Sequence, residues 1–527
     1  MHAPDFLYQS ARRHGETEAV WDGQRRRSYT ELLDRSRRIA AGLLALGLEP
    51  GQRIALLATN RVEFVELTFA SAMAGTVLVP INGRLRAAEV LFQIEDADAA
   101  CIVVEDSLRE LVADAPENVR RVVLGGAVGD PPGQNAIDFE TLVHEEPIAR
   151  RAAAPDDVLV QMYTSGTTGQ PKGAMLTHRN VVSMVLAWLY EIGLKEAPDR
   201  FLLVMPLFHV GGLLHTMSCV AAGAHLRLVH EFLPAPILDT LIDERVTHVL
   251  FVPAMVQWLL QEKDVDERRF GDLRRIIYGG APMPEPVLRR ALEVFGCEFV
   301  QGYGLTETTG VVTVLRPNDH AADDAGELPR LTSAGRAVMT CAVRVVDASG
   351  VDVAPGTVGE VVARGEQITP GYWQRPQATA ASFRDGWFKT GDLATIDAEG
   401  YVTIVDRLKD MILVAGENVY PSEVEAVLAS HPAVHMCTVV GIPHDTWGEE
   451  VLAIVVLEPL RGDDEGDERT ETANVSNELI RHCRGQLARF KCPTRVEIRD
   501  ELPRNAGGKV LKRELRAAYW DERERSV

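Results

Sequence analysis

Tyr163-Thr164-Ser165-Gly166-Thr167-Thr168-Gly169-Gln170-Pro171-Lys172-Gly173 is the stretch that decides how the rest of this 527-residue chain is read. An apolar run over residues 157–163 precedes it and reads as a strand, and a helical pattern begins near Thr177. Gly166 and Gly169 let backbone N–H groups approach an anion closely, because no β-carbon stands in the way. Thr164, Ser165, Thr167 and Thr168 add hydroxyls, and Lys172 adds a point charge. On chemistry alone this is a phosphate cradle. It is not a Walker A loop, since Gln170 and Pro171 separate Gly169 from Lys172. The competing reading is a plain flexible Gly/Ser/Thr loop.

Outward from this loop the chain alternates helical and strand patterns. On the N-terminal side, helical spacing over residues 29–46, 62–74 and 87–96 separates short strands at 53–57, 77–80, 100–104 and 121–124. On the other side, helices over 178–192, 235–244, 254–261 and 284–295 separate strands at 200–205, 226–229, 248–252 and 275–278. Such βαβα order predicts parallel sheets with helices on their faces. Two passes of it predict two sheets in one large domain. From about Thr332 glycines punctuate short β-rich pieces, which reads as a small barrel or antiparallel sheet. After residue 406 the pattern is α+β, with strands near 434–441 and 450–457. Residues 461–472 are acidic and aperiodic and read as a solvated loop. The fold class expected is therefore α/β. A large N-terminal domain of two helix-flanked sheets and a β-barrel-like subdomain spans residues 1–405. A small mobile α+β domain follows over 406–527.

Composition excludes several classes. The chain carries 55 Lys and Arg against 76 Asp and Glu, a formal net charge of -21, so it repels a nucleic-acid backbone. Its seven cysteines include no C-x-x-C pair, which points to free buried thiols and not to a zinc or disulfide framework. Nothing at the N-terminus reads as a signal peptide, and no apolar run is long enough to span a membrane. A cytoplasmic protein is expected.

The loop at 163–173 resembles the signature loop of the adenylate-forming superfamily: acyl-CoA synthetases, coumarate ligases, beetle luciferases and peptide-synthetase adenylation domains. The resemblance recurs in order at Pro-Leu-Phe-His-Val-Gly-Gly (206–212), 279–282, Gln-Gly-Tyr-Gly-Leu-Thr-Glu (301–307), 390–392, 406–425 and 503–512. It implies an acyl-CoA synthetase of the fatty-acid–CoA ligase branch. Such an enzyme joins a carboxylic acid to AMP at the expense of ATP and then transfers the acyl group to coenzyme A, with Mg2+ required. A carboxylate is a poor electrophile, and attachment to AMP gives its carbonyl a good leaving group. Displacement at the α-phosphate needs alignment and charge neutralisation more than a protein nucleophile.

Glu307 ends the 301–307 string just after a short strand, where a single carboxylate suits Mg2+ bound largely through phosphate oxygens. The resemblance implies that Thr164 helps hold that metal, that Tyr303 stacks on adenine and that Thr306 contacts the α-phosphate. Gly280, Ala281, Pro282, Gln301, Gly302 and Gly304 complete the nucleotide-binding set. Asp392, in a Thr-Gly-Asp turn, can accept both ribose hydroxyls, and Arg407 is placed to bind the same ribose. Lys509 follows Gly507 and Gly508 on a loop near the C-terminus. The resemblance assigns it the adenylation role, and Lys512 is expected to stay solvated. His209 and Val210 are implied at the acid's carboxylate, with Tyr278, Gly279 and Gly280 lining the acyl pocket. Two adjacent glycines leave room for a chain to pass deeper, which favours a medium- or long-chain acid.

The resemblance also implies a hinge at Asp406 and Lys409. Rotation there withdraws Lys509 and brings Gly416, Glu417 and Asn418 to a pantetheine tunnel, with Gly441, Pro443, Trp447 and Gly448 under the CoA nucleotide. One departure stands out: where coumarate ligases and luciferases carry a second lysine, four residues after Lys409, this chain has Leu413. The small-molecule partners expected are the acid, ATP and CoA, with a homodimer as an admissible assembly. Alternatives are a phenylpropenoate such as coumarate or ferulate, a short functionalised acid, a stand-alone acyl-AMP ligase that loads a carrier protein, a luciferase-like oxygenase and a non-catalytic relative.

Overall fold

The computed structural model describes residues 1–125, 136–150, 153–164, 170–195, 198–321, 328–458, 468–504 and 510–520, the side chains of 468–473 excepted. The chain falls into two compact units, Met1–Val343 with Ala363–Phe388, and Arg344–Val362 with Lys389–Val527.

The first unit holds two sheets. In the nine-stranded one, Glu298–Tyr303, Arg275–Gly279, His248–Phe251, Arg200–Leu203, His225–Leu228 and Glu18–Trp21 lie side by side in parallel. Antiparallel strands close both edges. The seven-stranded sheet has the order Ala136–Asp138, Arg120–Leu124, Ala99–Glu105, Arg53–Leu57, Val77–Pro80, Val158–Thr164, Lys172–Thr177. All its pairings are parallel except the last. Strands such as Ile-Ala-Leu-Leu and Val-Leu-Val-Pro are apolar throughout because helices cover both faces. One apolar cluster takes Ile54, Leu56 and Val103 from one sheet and Leu203, Ile277 and Val300 from the other. The alternate residues Ile276, Tyr278 and Phe299 face a second cluster, with Leu288 and Phe295 of the helix Glu285–Phe295.

Three features differ from the sequence expectation. Lys172–Thr177 is a strand paired antiparallel to Val158–Thr164, with Thr164 opposite Lys172. The Gly/Ser/Thr loop therefore joins two strands of a hairpin and does not lead directly into a helix. The helix His178–Ile192 starts only afterwards, capped by Thr177 and Asn180 in reciprocal hydrogen bonds. Residues 210–222 form the helix Val210–Ala222, unread because its glycines and all-round apolarity mask helical periodicity. The stretch expected as a loop over 461–472 overlaps the helix Glu468–Arg484, and its earlier part lies outside the described residues.

In the second unit the strand Trp387–Ile396, from Lys389 on, pairs antiparallel with Val402–Arg407. Another sheet of this unit has the order Glu417–Val419, Ile412–Val414, Gly448–Leu457, Val434–His444, with Arg495–Ile498 parallel to Gly448–Leu457. Alternation along the long hairpin fills both faces. Val439, Val451, Ala453 and Val455 pack with Val424, Leu428 and Leu479 of two helices, while Val440, Ile442, Leu452 and Ile454 pack with Leu515 of the helix Lys512–Ala517. All seven cysteines are free. Among the described residues no helix is long and apolar enough to cross a membrane.

Candidate active site

In the first unit the hairpin Val158–Thr164/Lys172–Thr177 and the strand Glu298–Tyr303 bring Thr164 and Glu307 together. Ser165, Gly166, Thr167, Thr168 and Gly169 lie outside the described residues. Thr164 Oγ1 donates to Glu307 Oε1 at 3.2 Å, and the Tyr372 hydroxyl donates to the same oxygen at 2.9 Å. Glu307 is only 9% exposed. Its peptide is fixed as well, since Thr369 N–H donates to Glu307 O at 2.8 Å. Lys172 Nζ stands 5.4 Å from the centre of the Tyr372 ring. Tyr163 is turned away, donating to Asp96 Oδ2 at 2.8 Å. Burial and the Asp96 carboxylate push its phenol pKa up.

The Gln301–Glu307 string is built on close backbone approach. A β-carbon at Gly304 would stand 2.4 Å from Gly310 O, so only glycine fits. A β-carbon at Gly302 would stand 3.0 Å from Trp188 Cη2 and 3.1 Å from Val311 Cγ2. Trp188, 1% exposed, is locked there: its indole N–H donates to His215 Nε2 at 3.0 Å, and His215 Nδ1 bonds Gly211 O at 2.7 Å. Burial lowers the His215 pKa to about 4, so the ring is neutral, with its proton on Nδ1. Gln301 Oε1 is buried without a hydrogen-bond partner among the described residues. Tyr303 and Thr306 are half-buried beside it.

His209 precedes the helix Val210–Ala222 without a side-chain capping bond, its ring against Phe208 at 4.7 Å between ring centres. Its Nε2 is buried and unpartnered among the described residues. Burial, with the Arg84 charge, lowers its pKa to about 4, so it offers a neutral ring, not a cation. The acyl-pocket residues separate. Tyr278 is 1% exposed, its hydroxyl paired with His320 Nε2 at 2.9 Å in the core on the opposite face of the strand from Ile277. A β-carbon at Gly279 would stand 2.4 Å from Gly302 O, so close packing of the two strands requires glycine there. Among the described residues a β-carbon at Gly280, where φ is +79°, would meet only Val252 Cγ1 at 3.9 Å, and one at Gly211 only Leu250 Cδ2 at 3.6 Å.

In the second unit Asp392 and Arg407 stand opposite each other on antiparallel strands, and Arg407 Nε meets Asp392 Oδ1 at 2.5 Å. The two candidate ribose ligands are thus one ion pair, with Asp392 3% exposed. Asp406 accepts from Arg407 N–H at 2.7 Å and, through its other oxygen, from Ser422 N–H at 2.8 Å at the start of the helix Pro421–Ala429. Burial raises its pKa. Burial lowers that of Lys409. Lys512 is not solvated, contrary to expectation: Nζ meets Glu425 Oε1 at 2.8 Å, with the side chain 18% exposed. Burial opposes its charge, but Glu425 and Asp406 outweigh that and raise its pKa. One turn on, Arg516 pairs with Asp410 at 3.1 Å and donates to Lys409 O at 3.1 Å. Lys509, Gly507 and Gly508 lie outside the described residues, and Arg504 and Val510 on either side pair as an antiparallel bridge.

Gly416 has φ +86°, and among the described residues beyond its chain neighbours no atom lies within 4 Å of where a β-carbon would stand; Glu417 and Asn418 are exposed beside it. Trp447, 44% exposed, stacks on His444 at 4.3 Å and 9°. Gly441 O accepts from the Trp520 indole at 3.0 Å, and Pro443 and Gly448 sit at the same end of the hairpin. Leu413 N–H donates to Glu449 Oε2 at 3.1 Å. The residue that sequence reasoning missed is Tyr372: Gly-Tyr-Trp at 371–373 carries no chemical signature until the fold brings it to Glu307.

The AMP-binding enzyme family matches residues 7–373, and the AMP-binding enzyme C-terminal domain matches 423–509. The chain belongs to the AMP-binding enzyme family. Its place is in the acyl-CoA synthetase branch of the adenylate-forming superfamily, among the AMP-forming acid–thiol ligases. It is similar to the fatty acid–[acyl-carrier-protein] ligase ScoC of Streptomyces coeruleorubidus, 37% identical over 100% of this chain and 99% of the relative. A feruloyl-CoA synthase of an Amycolatopsis species is 38% identical over 97% of each chain. Among solved structures, the o-succinylbenzoate CoA synthetase of Bacillus subtilis with its acyl-adenylate OSB-AMP is 32% identical, with a TM-score of 0.83 over 97% of this chain and 98% of that one. The same enzyme with ATP and magnesium ion gives a TM-score of 0.81 at 31% identity, over 97% and 98%. The residues fit a magnesium ion held mainly through nucleotide phosphates. Glu307 offers one carboxylate whose Oε1 already takes two hydroxyl donors, and no group of three or more potential ligands competes for the ion among the described residues.

Proposed function

We propose that this member of the AMP-binding enzyme family converts a carboxylic acid and ATP to acyl-adenylate and pyrophosphate, and then acyl-adenylate and coenzyme A to acyl-CoA and AMP. The observation that carries the reading is the buried Glu307 carboxylate, with one oxygen saturated by Thr164 and Tyr372 beside Lys172. A carboxylate so held, next to a glycine–hydroxyl loop and a lysine, suits a nucleotide's phosphates and their cation.

In the first half-reaction an oxygen of the acid attacks the α-phosphorus in line and pyrophosphate leaves. Loop 165–169 with Lys172 holds the phosphates, and Tyr303, Gln301 and the backbone of 280–282 hold the adenine. Asp392 and Arg407 take the ribose, Thr306 the α-phosphate, and Lys509 neutralises the charge that develops there. Bound magnesium draws negative charge from the phosphoryl oxygens, and Glu307 with Thr164 would hold it. His209, being neutral, can donate one hydrogen bond to the acid without trapping it as a salt. In the second half-reaction the CoA sulfur attacks the acyl carbon and AMP leaves with the bonding electrons. We assign the boundary between the two working domains to residues 405/406, the pivot to Asp406 and Lys409, the tunnel wall to Gly416, Glu417 and Asn418, and the nucleotide rest to Gly441, Pro443 and Trp447. A cytoplasmic location and a homodimer belong to the same proposal.

For the acid we infer a medium- or long-chain fatty acid, supported by the fatty-acid ligase among the relatives and by the room beside Gly211 and Gly280 among the described residues. The second reading is a phenylpropenoate, favoured by the feruloyl-CoA synthase relative. Acids from acetate to palmitate, with coumarate and ferulate, are to be scored by AMP release with CoA, with a pantetheinylated carrier and with neither. AMP release that rises with CoA and peaks at longer aliphatic acids is expected. Acceptance of the carrier alone would overturn the CoA assignment, and no release with any acid would overturn the ligase reading.

A further inference from the structure

Gly371, Tyr372 and Trp373 lie between the strand Gly359–Gly365 and the helix Pro376–Ala381, and nothing in their order announces a role. The backbone of this segment is laid against the strand that leaves the phosphate loop. Met175 N–H donates to Gly371 O at 3.0 Å, Trp373 N–H to Gly173 O at 2.8 Å, and Ala174 and Tyr372 form an antiparallel bridge. Tyr372 N–H donates to Thr379 Oγ1 at 3.0 Å. A β-carbon at Gly371, where φ is +141°, would stand 2.4 Å from Thr379 Cγ2, so the chain can take this path only with glycine there.

The path carries the Tyr372 side chain inward, 9% exposed, between two motifs far apart in sequence. Its hydroxyl reaches Glu307 Oε1 at 2.9 Å and its ring face carries the Lys172 ammonium at 5.4 Å. A phenol is protonated near neutral pH, so the Tyr372 hydroxyl is the donor in this contact. The same segment fixes the backbone around Glu307, through Thr369 N–H to Glu307 O at 2.8 Å and Thr309 Oγ1 to Gln367 O at 2.6 Å. A carboxylate whose Oε1 accepts from two hydroxyls cannot rotate freely, and it presents Oε2 in one direction. Among the described residues Oε2 takes none of these hydrogen bonds.

We propose that Tyr372 is a positioning residue for the nucleotide-bound cation. Its hydroxyl pins Glu307 Oε1 so that Oε2 faces the metal–phosphate group, and its ring seats Lys172 on the same phosphates. The inference rests on the ligase reading and extends it to a residue outside every nucleotide motif.

The test uses Tyr372→Phe, which keeps the ring, the backbone pairing and the Lys172 contact and removes one oxygen. Mn2+ is titrated into the full chain with a non-hydrolysable ATP analogue and followed by electron paramagnetic resonance. Loss of one hydrogen bond to a charged group predicts an Mn2+ dissociation constant raised ~10-fold or more, with nucleotide affinity in the absence of metal within about twofold. Thr164→Val removes both the other donor to the same oxygen and a proposed ligand of the cation, so it is expected to weaken Mn2+ more than Tyr372→Phe does. In a Glu307→Gln background Tyr372→Phe should add nothing. A Tyr372→Phe chain that melts at the wild-type temperature and binds Mn2+ within twofold of wild type overturns the inference, and so do effects of Tyr372→Phe and Glu307→Gln that multiply. Wild type that holds no Mn2+–nucleotide at all overturns the ligase reading itself, which is a distinguishable result.

Discussion

Gly279 and Gly211 make opposite predictions for the same chemical change, the addition of one methyl group. At Gly279 the new carbon would stand 2.4 Å from Gly302 O, the residue paired with it across two parallel strands. Both partners are backbone in the middle of a nine-stranded sheet, so neither can swing aside. Relief to an ordinary contact requires the strands to part by roughly 0.8–1 Å, an overpacking that typically costs about 1–3 kcal/mol, and backbone on backbone belongs at the upper end. At Gly211 the nearest atom would be Leu250 Cδ2 at 3.6 Å, an ordinary contact, and the residue lies in the first turn of the helix Val210–Ala222. Alanine there gains up to ~1 kcal/mol in helix propensity. Gly279→Ala is therefore expected to lower the melting temperature by several degrees and to depress turnover of every acid alike. Gly211→Ala should leave the melting temperature unchanged or higher and alter the ranking of acids by length. Differential scanning fluorimetry and an acid series on both variants read the two outcomes. A stable Gly279→Ala enzyme that selectively rejects long acids would refute the assignment of that glycine to sheet packing.

Buried histidines should make the first unit acid-labile. His178, His215 and His248 are 2–3% exposed, and burial takes each pKa from 6.5 to about 4. The unfolded chain then binds more protons than the folded one below about pH 6.5, so stability is full above that pH and is lost as pH falls toward 4. Each group costs roughly 2 kcal/mol at pH 5. A urea midpoint that drops markedly from pH 7 to pH 5 is expected, and a flat midpoint would contradict the burial argument. Lys512→Met leaves Glu425 and Asp406 without their shared cation, and a loss of about 1–3 kcal/mol at pH 8 is expected from a pair this covered. Asp406, already raised by burial, takes up a proton more readily in that variant, so the loss should shrink toward pH 5. A deficit independent of pH would argue against the charge cluster.

The α/β class and the two-sheet plan were legible because βαβ order and apolar strand runs follow directly from covering a parallel sheet on both faces. The same two-sided burial hid which way Tyr278 points. Ile277 and Tyr278 are equally buried neighbours, and only the sheet's position tells that the first faces the shared core and the second the outer helices. The glycine–hydroxyl loop and Glu307 were legible as chemistry, but not the strand Lys172–Thr177, whose Gly-Ala-Met-Leu has no period of two. The Asp392–Arg407 pair is a consequence of hairpin register, offset by a bulge, which no local pattern encodes. Lys512 read as a surface lysine because its partners Glu425 and Asp406 are supplied by a helix and a strand end far earlier in the chain. Tyr372 was invisible for the same reason: its function is a contact, and the contact exists only once Gly371 has turned the chain toward the phosphate loop.

The central claim is that the acid's own oxygen becomes bonded to the α-phosphorus of ATP. Incubation with ATP, magnesium, CoA and an accepted acid labelled with 18O in its carboxylate, followed by mass spectrometry of the products, tests it at the bond itself. One 18O atom in AMP, with unlabelled pyrophosphate, is the predicted result. Label in inorganic phosphate accompanied by ADP, or AMP released without label, would contradict it.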